Sequence, residues 1–182
     1  MLKDEITKWT EYDRLAFQDE NFEKIDLTSL MQSDKFDFNT ELIFENCNIH
    51  SIGDSIKLYS KKISFIDCEI GSIWFQGTHF IGGLELKNCS VSNYSYLQAI
   101  GHNLAPNEFI IDNCVFNDYV DFFDCYFEGP VQITNNDFRQ GTNIGIYLQR
   151  PFGILADINY KIENNKGDIF KDDENDPGSI KN

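Results

Sequence analysis

Residues 41–70 read ELIFENCNIHSIGDSIKLYSKKISFIDCEI. Near one end stand Leu42, Phe44, Cys47 and Ile49; near the other stand Ile63, Phe65, Cys68 and Ile70, each displaced from its counterpart by the same interval. The shared frame is apolar, any, apolar, any, turn residue, Cys, any, apolar. Its spacing of two, three and two does not trace one face of a 3.6-residue helix. It fits a short strand with one buried face, a sharp corner, and a second short strand.

Working outward, the frame recurs at Ile73, Phe75, Thr78, Phe80; at Leu84, Leu86, Cys89, Val91; and at Phe109, Ile111, Cys114, Phe116. It continues at Val120, Phe122, Cys125, Phe127 and at Val131, Ile133, Asn136, Phe138, with a weaker copy at Tyr160, Ile162, Asn165 and Gly167. Tyr94, Tyr96 and Ala99 fit it loosely. The residue before the Cys position is Asn46, Asp67, Gly77, Asn88, Asn113, Asp124, Asn135 or Asn164. Asn, Asp and Gly tolerate the left-handed backbone region, so a corner forms there at small steric cost. The small Cys, Thr or Ala that follows is expected to point inward just past the corner, where room is limited.

Two units, about 21 residues, make one turn of a parallel β-solenoid. The pattern predicts an all-β, right-handed parallel β-solenoid of about six turns, on the order of 28 Å long at about 4.8 Å per turn. One inward column would run Cys47, Cys68, Cys89, Cys114, Asn136, Asn165, and the opposite one Leu58, Thr78, Ala99, Cys125, Tyr147. Longer intervals put protrusions at residues 101–107 and 148–157. A sandwich of hairpins would need tight turns such as Asn-Gly between its strands, and those are absent.

The frame resembles the pentapeptide-repeat family, most closely in VDFFDCYFEGPVQITNNDF at residues 120–138. The resemblance covers roughly residues 25–167. It departs in its steps, which are often one position longer than two pentapeptides, and in the two insertions. A less regular right-handed β-helix is therefore the fold alternative. The resemblance implies a solenoid, and by analogy with acidic members that mimic DNA and bind gyrase, a protein-directed role. No residue-level motif for that activity carries over.

Three segments follow. Residues 1–24 are expected to cap the N-terminal end, with a helix over 3–17 that aligns Ile6, Trp9, Asp13 and Ala16. Residues 25–170 form the solenoid, with Ile25, Leu27 and Leu30 in a degenerate first turn. Residues 171–182 are an acidic polar tail. No apolar leader or apolar run long enough for a membrane span is read, so a cytoplasmic protein is expected. Five cysteines without CxxC pairs suit reduced, buried thiols rather than a disulfide framework or zinc.

The 182-residue chain has 15 Lys plus Arg against 30 Asp plus Glu, a formal net charge of −15. Such a surface repels phosphate, which speaks against direct nucleic-acid binding and for a basic partner. No Walker loop, GxGxxG or GxSxG is present, and His50, His79 and His102 are expected not to cluster. No catalytic residue, cofactor or metal site is read. A carbohydrate-acting β-helix enzyme, using Asp118, Asp121, Asp124 and Asp137 with Arg139, is one alternative. A structural or self-associating scaffold, which includes a homodimer, is the other.

The favoured expectation is a non-catalytic inhibitor or immunity-type protein that acts by nucleic-acid mimicry on a basic, nucleic-acid-handling protein. Residues 88–138 contain no Lys or Arg and seven acids, Asp112, Asp118, Asp121 and Glu128 among them. An apolar outward face is expected beside them, stacked as Trp74, Ser95, Asp121; Gln76, Leu97, Phe123; and His79, Ile100, Tyr126. The candidate partner-binding residues are therefore Trp74, Asp112, Asp118, Asp121, Phe123, Tyr126 and Glu128.

Overall fold

In the computed structural model, residues 12–27, 37–148 and 159–172 are described. Alternating apolar residues build one sheet of seven parallel strands. It runs in order through Arg14–Gln18, Glu41–Glu45, Ile63–Ile66, Leu84–Lys87, Phe109–Asp112, Val131–Thr134 and Tyr160–Glu163. Leu42, Ile63, Leu84, Phe109 and Val131 are in register, as are Phe44, Phe65, Leu86, Ile111 and Ile133. Identical side chains then stack: the rings of Phe17, Phe44 and Phe65 lie 5.1 Å apart at each step, near parallel.

After the corner the chain enters a second sheet. Asn48–Ser55 and Glu69–Gln76 are continuous eight-residue strands there. In later turns the path divides into Ser90–Val91 with Ser95–Gln98, and Val115–Phe116 with Val120–Asp121. A further side is built from Asp37–Phe38 with Leu58–Tyr59, and Gly101–Leu104 with Tyr126–Glu128. All these pairings are parallel, and the stack amounts to about five turns rather than six.

All eight corner residues named from sequence have positive φ, between 51° and 62°. Asp19, Ile56, Ala99 and His102 join them at φ 49–58°. All five cysteines are free and buried. The first inward column follows one rule. All but Cys114, whose Sγ reaches the Asp112 carbonyl of its own turn at 3.4 Å, reach a carbonyl of the turn before: Cys47 Sγ to Phe17, Cys68 Sγ to Phe44 and Cys89 Sγ to Phe65 at 3.4–3.5 Å, then Asn136 Nδ2 to Ile111 and Asn165 Nδ2 to Ile133 at 2.8–2.9 Å.

Four expectations need correction. Arg14–Gln18 is a strand, paired with Glu41–Glu45, not the end of a helix. The solenoid therefore already includes these residues, and Phe17, Asp19 and Phe22 repeat the frame. Residues 1–11, with Ile6 and Trp9, lie outside the described residues, as do Leu30, residues 149–158 of the second protrusion, and 173–182 of the tail. Second, Leu58 pairs with His79, not Thr78. Third, Tyr147 is buried, as its place in the inward column requires, but it stands in a five-residue helix, Ile144–Leu148, rather than just past a corner between strands.

The fourth is a slip of one residue. Val91 pairs with Ile70, but Ser95 pairs with Ile73. The later turn therefore holds one extra residue at the bend, and Trp74 faces Tyr96 rather than Ser95. A one-residue slip exchanges inside and outside. Leu97 and Ile100, expected outside, are fully buried, and Tyr96 is 41% exposed.

Candidate functional site

The outward residues of the second sheet line up as Asp26, Gly53, Trp74, Tyr96 and Asp121, one per turn. Trp74 is 42% exposed, and Tyr96 beside it leans on Tyr94, ring centroids 4.4 Å apart. Tyr94 in turn lies 5.6 Å from Tyr119. An aromatic strip thus runs up this face. Beneath Trp74 the rung of Gly53 is bare. A Cβ there would lie 2.6 Å from the Trp74 carbonyl oxygen and 3.3 Å from Cε3 of its indole, so only glycine admits that close approach.

At the upper end of the strip Asp121 is fully buried and serves the fold. Its Oδ1 accepts from Asn143 Nδ2 at 2.7 Å and the Phe123 N–H at 2.9 Å. Its Oδ2 accepts from Gln98 Nε2 at 2.5 Å and the Tyr94 hydroxyl at 3.4 Å. A buried carboxylate needs such partners. Asp121 is therefore not a surface contact, which corrects its place among the partner-binding candidates.

The other candidates do not converge. Asp112 ends a strand of the first sheet and accepts from Thr134 Oγ1 at 2.5 Å and Asn135 Nδ2 at 2.9 Å. The Thr134 hydroxyl holds its carboxyl below the usual range, with Asn135 adding to the effect. Asp118 accepts the Tyr119 N–H at 2.8 Å. Phe123 is half-buried and meets Tyr147 edge-on at 5.6 Å. Tyr126 and Glu128 lie on the further side with His102, whose ring is 5.3 Å from Tyr126 and whose Nδ1 is 3.2 Å from Glu128.

His79 and His102, expected apart, stack with centroids 3.9 Å apart. Their separation in sequence is close to the length of one turn, which is the signal that could have paired them. Burial, and then the neighbouring His102, push the pKa of His79 down. Among the described residues no group of three or more His, Cys, Asp or Glu could hold a metal ion. The residues considered for carbohydrate chemistry are engaged otherwise. Asp121 is buried, Asp124 forms a corner, and Arg139 binds Asp137 at 3.4 Å and Asn117 at 2.6 Å.

On the first sheet Glu85 is almost fully buried on the outward side, held by Lys62 at 2.6 Å, Lys87 at 2.7 Å and the Ser64 hydroxyl at 3.1 Å. Burial alone would raise its pKa, but the two lysines outweigh it and the pKa is lowered.

The architecture defines the class, a parallel β-helix repeat protein. No protein-family model matches the chain, and no curated protein or solved structure matches it either. Among the described residues no helix is long and apolar enough to cross a membrane.

Proposed function

We propose that the chain is a non-catalytic binding protein that engages a basic protein partner through an acidic stretch that contains no Lys or Arg. The observation that carries this reading is the stretch 88–138, which has seven acids and no Lys or Arg. Of those seven, Asp121 is withdrawn into the fold. Glu108 and Asp124 are exposed, and Asp112, Asp118, Glu128 and Asp137 are half-exposed. The register does not stack these carboxylates on one another: Asp112 lies between Lys87 and Thr134, and Glu128 beside Leu104, so the charge acts as a diffuse negative field that attracts a basic surface.

In its concrete form the protein is an inhibitor or immunity-type protein for a nucleic-acid-handling enzyme, working in the cytoplasm. Its repeat is a degenerate form of the pentapeptide type. Buried free thiols suit a reducing compartment. Partner recognition of this kind is screened by salt over about 8–10 Å.

The test uses gyrase as probe, with duplex DNA as competitor, and titrates salt. Binding that weakens with salt, competes with DNA, and drops when Glu108, Asp118, Asp124 and Glu128 become their amides supports the reading. Unchanged binding by that quadruple variant, or none to gyrase or to any basic protein of the host, removes it.

A further inference from the structure

We propose that the recess over Gly53, beside Trp74, binds the ring of a neutral sugar. The register sets an aromatic ring, a bare rung and a carboxylate on three successive turns: Trp74, Gly53 and Asp26. The space so formed measures about 190 Å³ and is flanked by Lys24, Ser51 and Ser72. That is below the roughly 300–1,000 Å³ of sites for drug-sized molecules, so the occupant is small.

The lining decides the chemistry. An exposed indole offers a flat, electron-rich face to the C–H groups on the apolar side of a pyranose. Around it stand two hydroxyls and an ion pair, Lys24 Nζ to Asp26 Oδ2 at 3.6 Å. A carboxylate has about four acceptor positions and an ammonium three donors. Vicinal hydroxyls donate to one and accept from the other. A cation, which an indole also attracts, would meet the Lys24 ammonium. An anion would meet Asp26. A purely apolar guest would strip both charges of water without replacing it. A neutral polyol with one apolar face satisfies every group.

Tyr96, one turn beyond Trp74 and equally exposed, extends the aromatic surface by about 4.8 Å. A second ring of an oligosaccharide can rest there, so a disaccharide should bind more tightly than its monomer. Nothing in this site depends on the acidic stretch or on a protein partner.

The test follows Trp74 fluorescence in a Trp9→Phe background, since the chain has two tryptophans. The probes are glucose, N-acetylglucosamine and their β-linked oligomers, with glucuronate, guanidinium and tetramethylammonium for comparison. The expected result is saturable binding of a neutral sugar at roughly millimolar concentration, tighter for the dimer. Calorimetry should show that binding lost in Trp74→Ala. Asp26→Asn, which keeps the shape, should weaken it about tenfold while thermal unfolding stays at the wild-type temperature. Saturation by the cations alone, no response to any sugar, or equal affinity in Asp26→Asn would overturn the proposal.

Discussion

The inward column of the solenoid is lined by thiols from Cys47 to Cys114 and by amides at Asn136 and Asn165. The two halves meet the same need with different chemistry. A thiol is a weak donor, and in this column those of Cys47, Cys68 and Cys89 reach the previous turn's carbonyl at 3.4–3.5 Å. An amide donates at 2.8–2.9 Å and also accepts, so the Asn136 oxygen takes the Cys114 N–H at 2.9 Å and the Asn165 oxygen takes the Asn136 N–H at 3.0 Å. The thiol half is held chiefly by burial, and the amide half chiefly by a ladder of hydrogen bonds. Burial, or the neighbouring thiol for Cys68 and Cys89, raises the thiol pKa, that of Cys89 to about 12. These thiols are inert structural groups.

The largest contrast is expected from truncation. Asn136→Ala removes donors to Ile111 O and Asn165 Oδ1 and leaves the Cys114 N–H unpaired in the interior. It should destabilise by roughly 2–4 kcal/mol. Cys89→Ala removes one weak donor and one sulfur and should cost about 1 kcal/mol. Urea unfolding of the two variants measures the difference. Equal losses would mean that the halves are held in the same way.

The corners offer a second contrast. Asn88 sits at φ 55° and donates to Asp67 Oδ1 at 2.8 Å. Asn88→Val should destabilise by about 1–2 kcal/mol and Asn88→Gly much less. Ile56, at φ 54° and 69% exposed, is a β-branched residue in that same region, stacked against Gly77. Ile56→Gly should therefore leave stability unchanged or raise it by up to about 1 kcal/mol. If Ile56→Gly destabilised like Asn88→Val, backbone strain would not be what separates the corners.

Acid should act in two steps. His79 has a folded pKa below the ordinary 6.5, so the unfolded chain binds the proton first. Its contribution is full above 6.5 and is lost as pH falls through the folded value. Glu85 and Asp112 are also lowered, from 4.5 and 3.8, so their stabilisation is present above those values and fades below them. Unfolding free energy measured against pH should fall first below about 6.5 and again below about 4.5. His79→Phe should erase the upper step and keep the lower one.

The smallest effect is expected at Thr78, the small inward residue opposite the cysteine column. Its hydroxyl is fully buried without a hydrogen-bond partner among the described residues. Thr78→Val keeps the shape and removes that polar atom, so thermal unfolding should shift by no more than the equivalent of about 0.5 kcal/mol, and upward. A loss of more than about 1 kcal/mol would show that the hydroxyl is bonded.

How far the chain can be read depends on whether a feature is local. Asn46, Asp67, Asn88, Asn113, Asp124, Asn135 and Asn164 announce their corners because their side chains tolerate positive φ. Ile56 and Ala99 do not, and they adopt it because the turn stacked on them does. The first turn is hidden because Ala16 fits a helical stripe in the sequence yet lies in the strand Arg14–Gln18, while Phe17, Asp19 and Phe22 carry the repeat. The exposed aromatic face is harder to read. Counting one regular period on from Trp74 lands on Ser95, and the extra residue after Val91 moves the true neighbour to Tyr96.

Sequence alone determined the period, the parallel solenoid, the inward cysteines and eight of the corners. Each follows from a side chain's own preference for burial, alternation or backbone conformation. Only the tertiary structure decided which residues meet across turns: Asp121 buried among Gln98, Asn143 and Tyr94, His79 on His102, and Trp74 over Gly53 between Tyr96 and Asp26. Those meetings depend on register, and register is the sum of every insertion along the path. A single extra residue at one bend exchanges inside for outside, and no local preference records it.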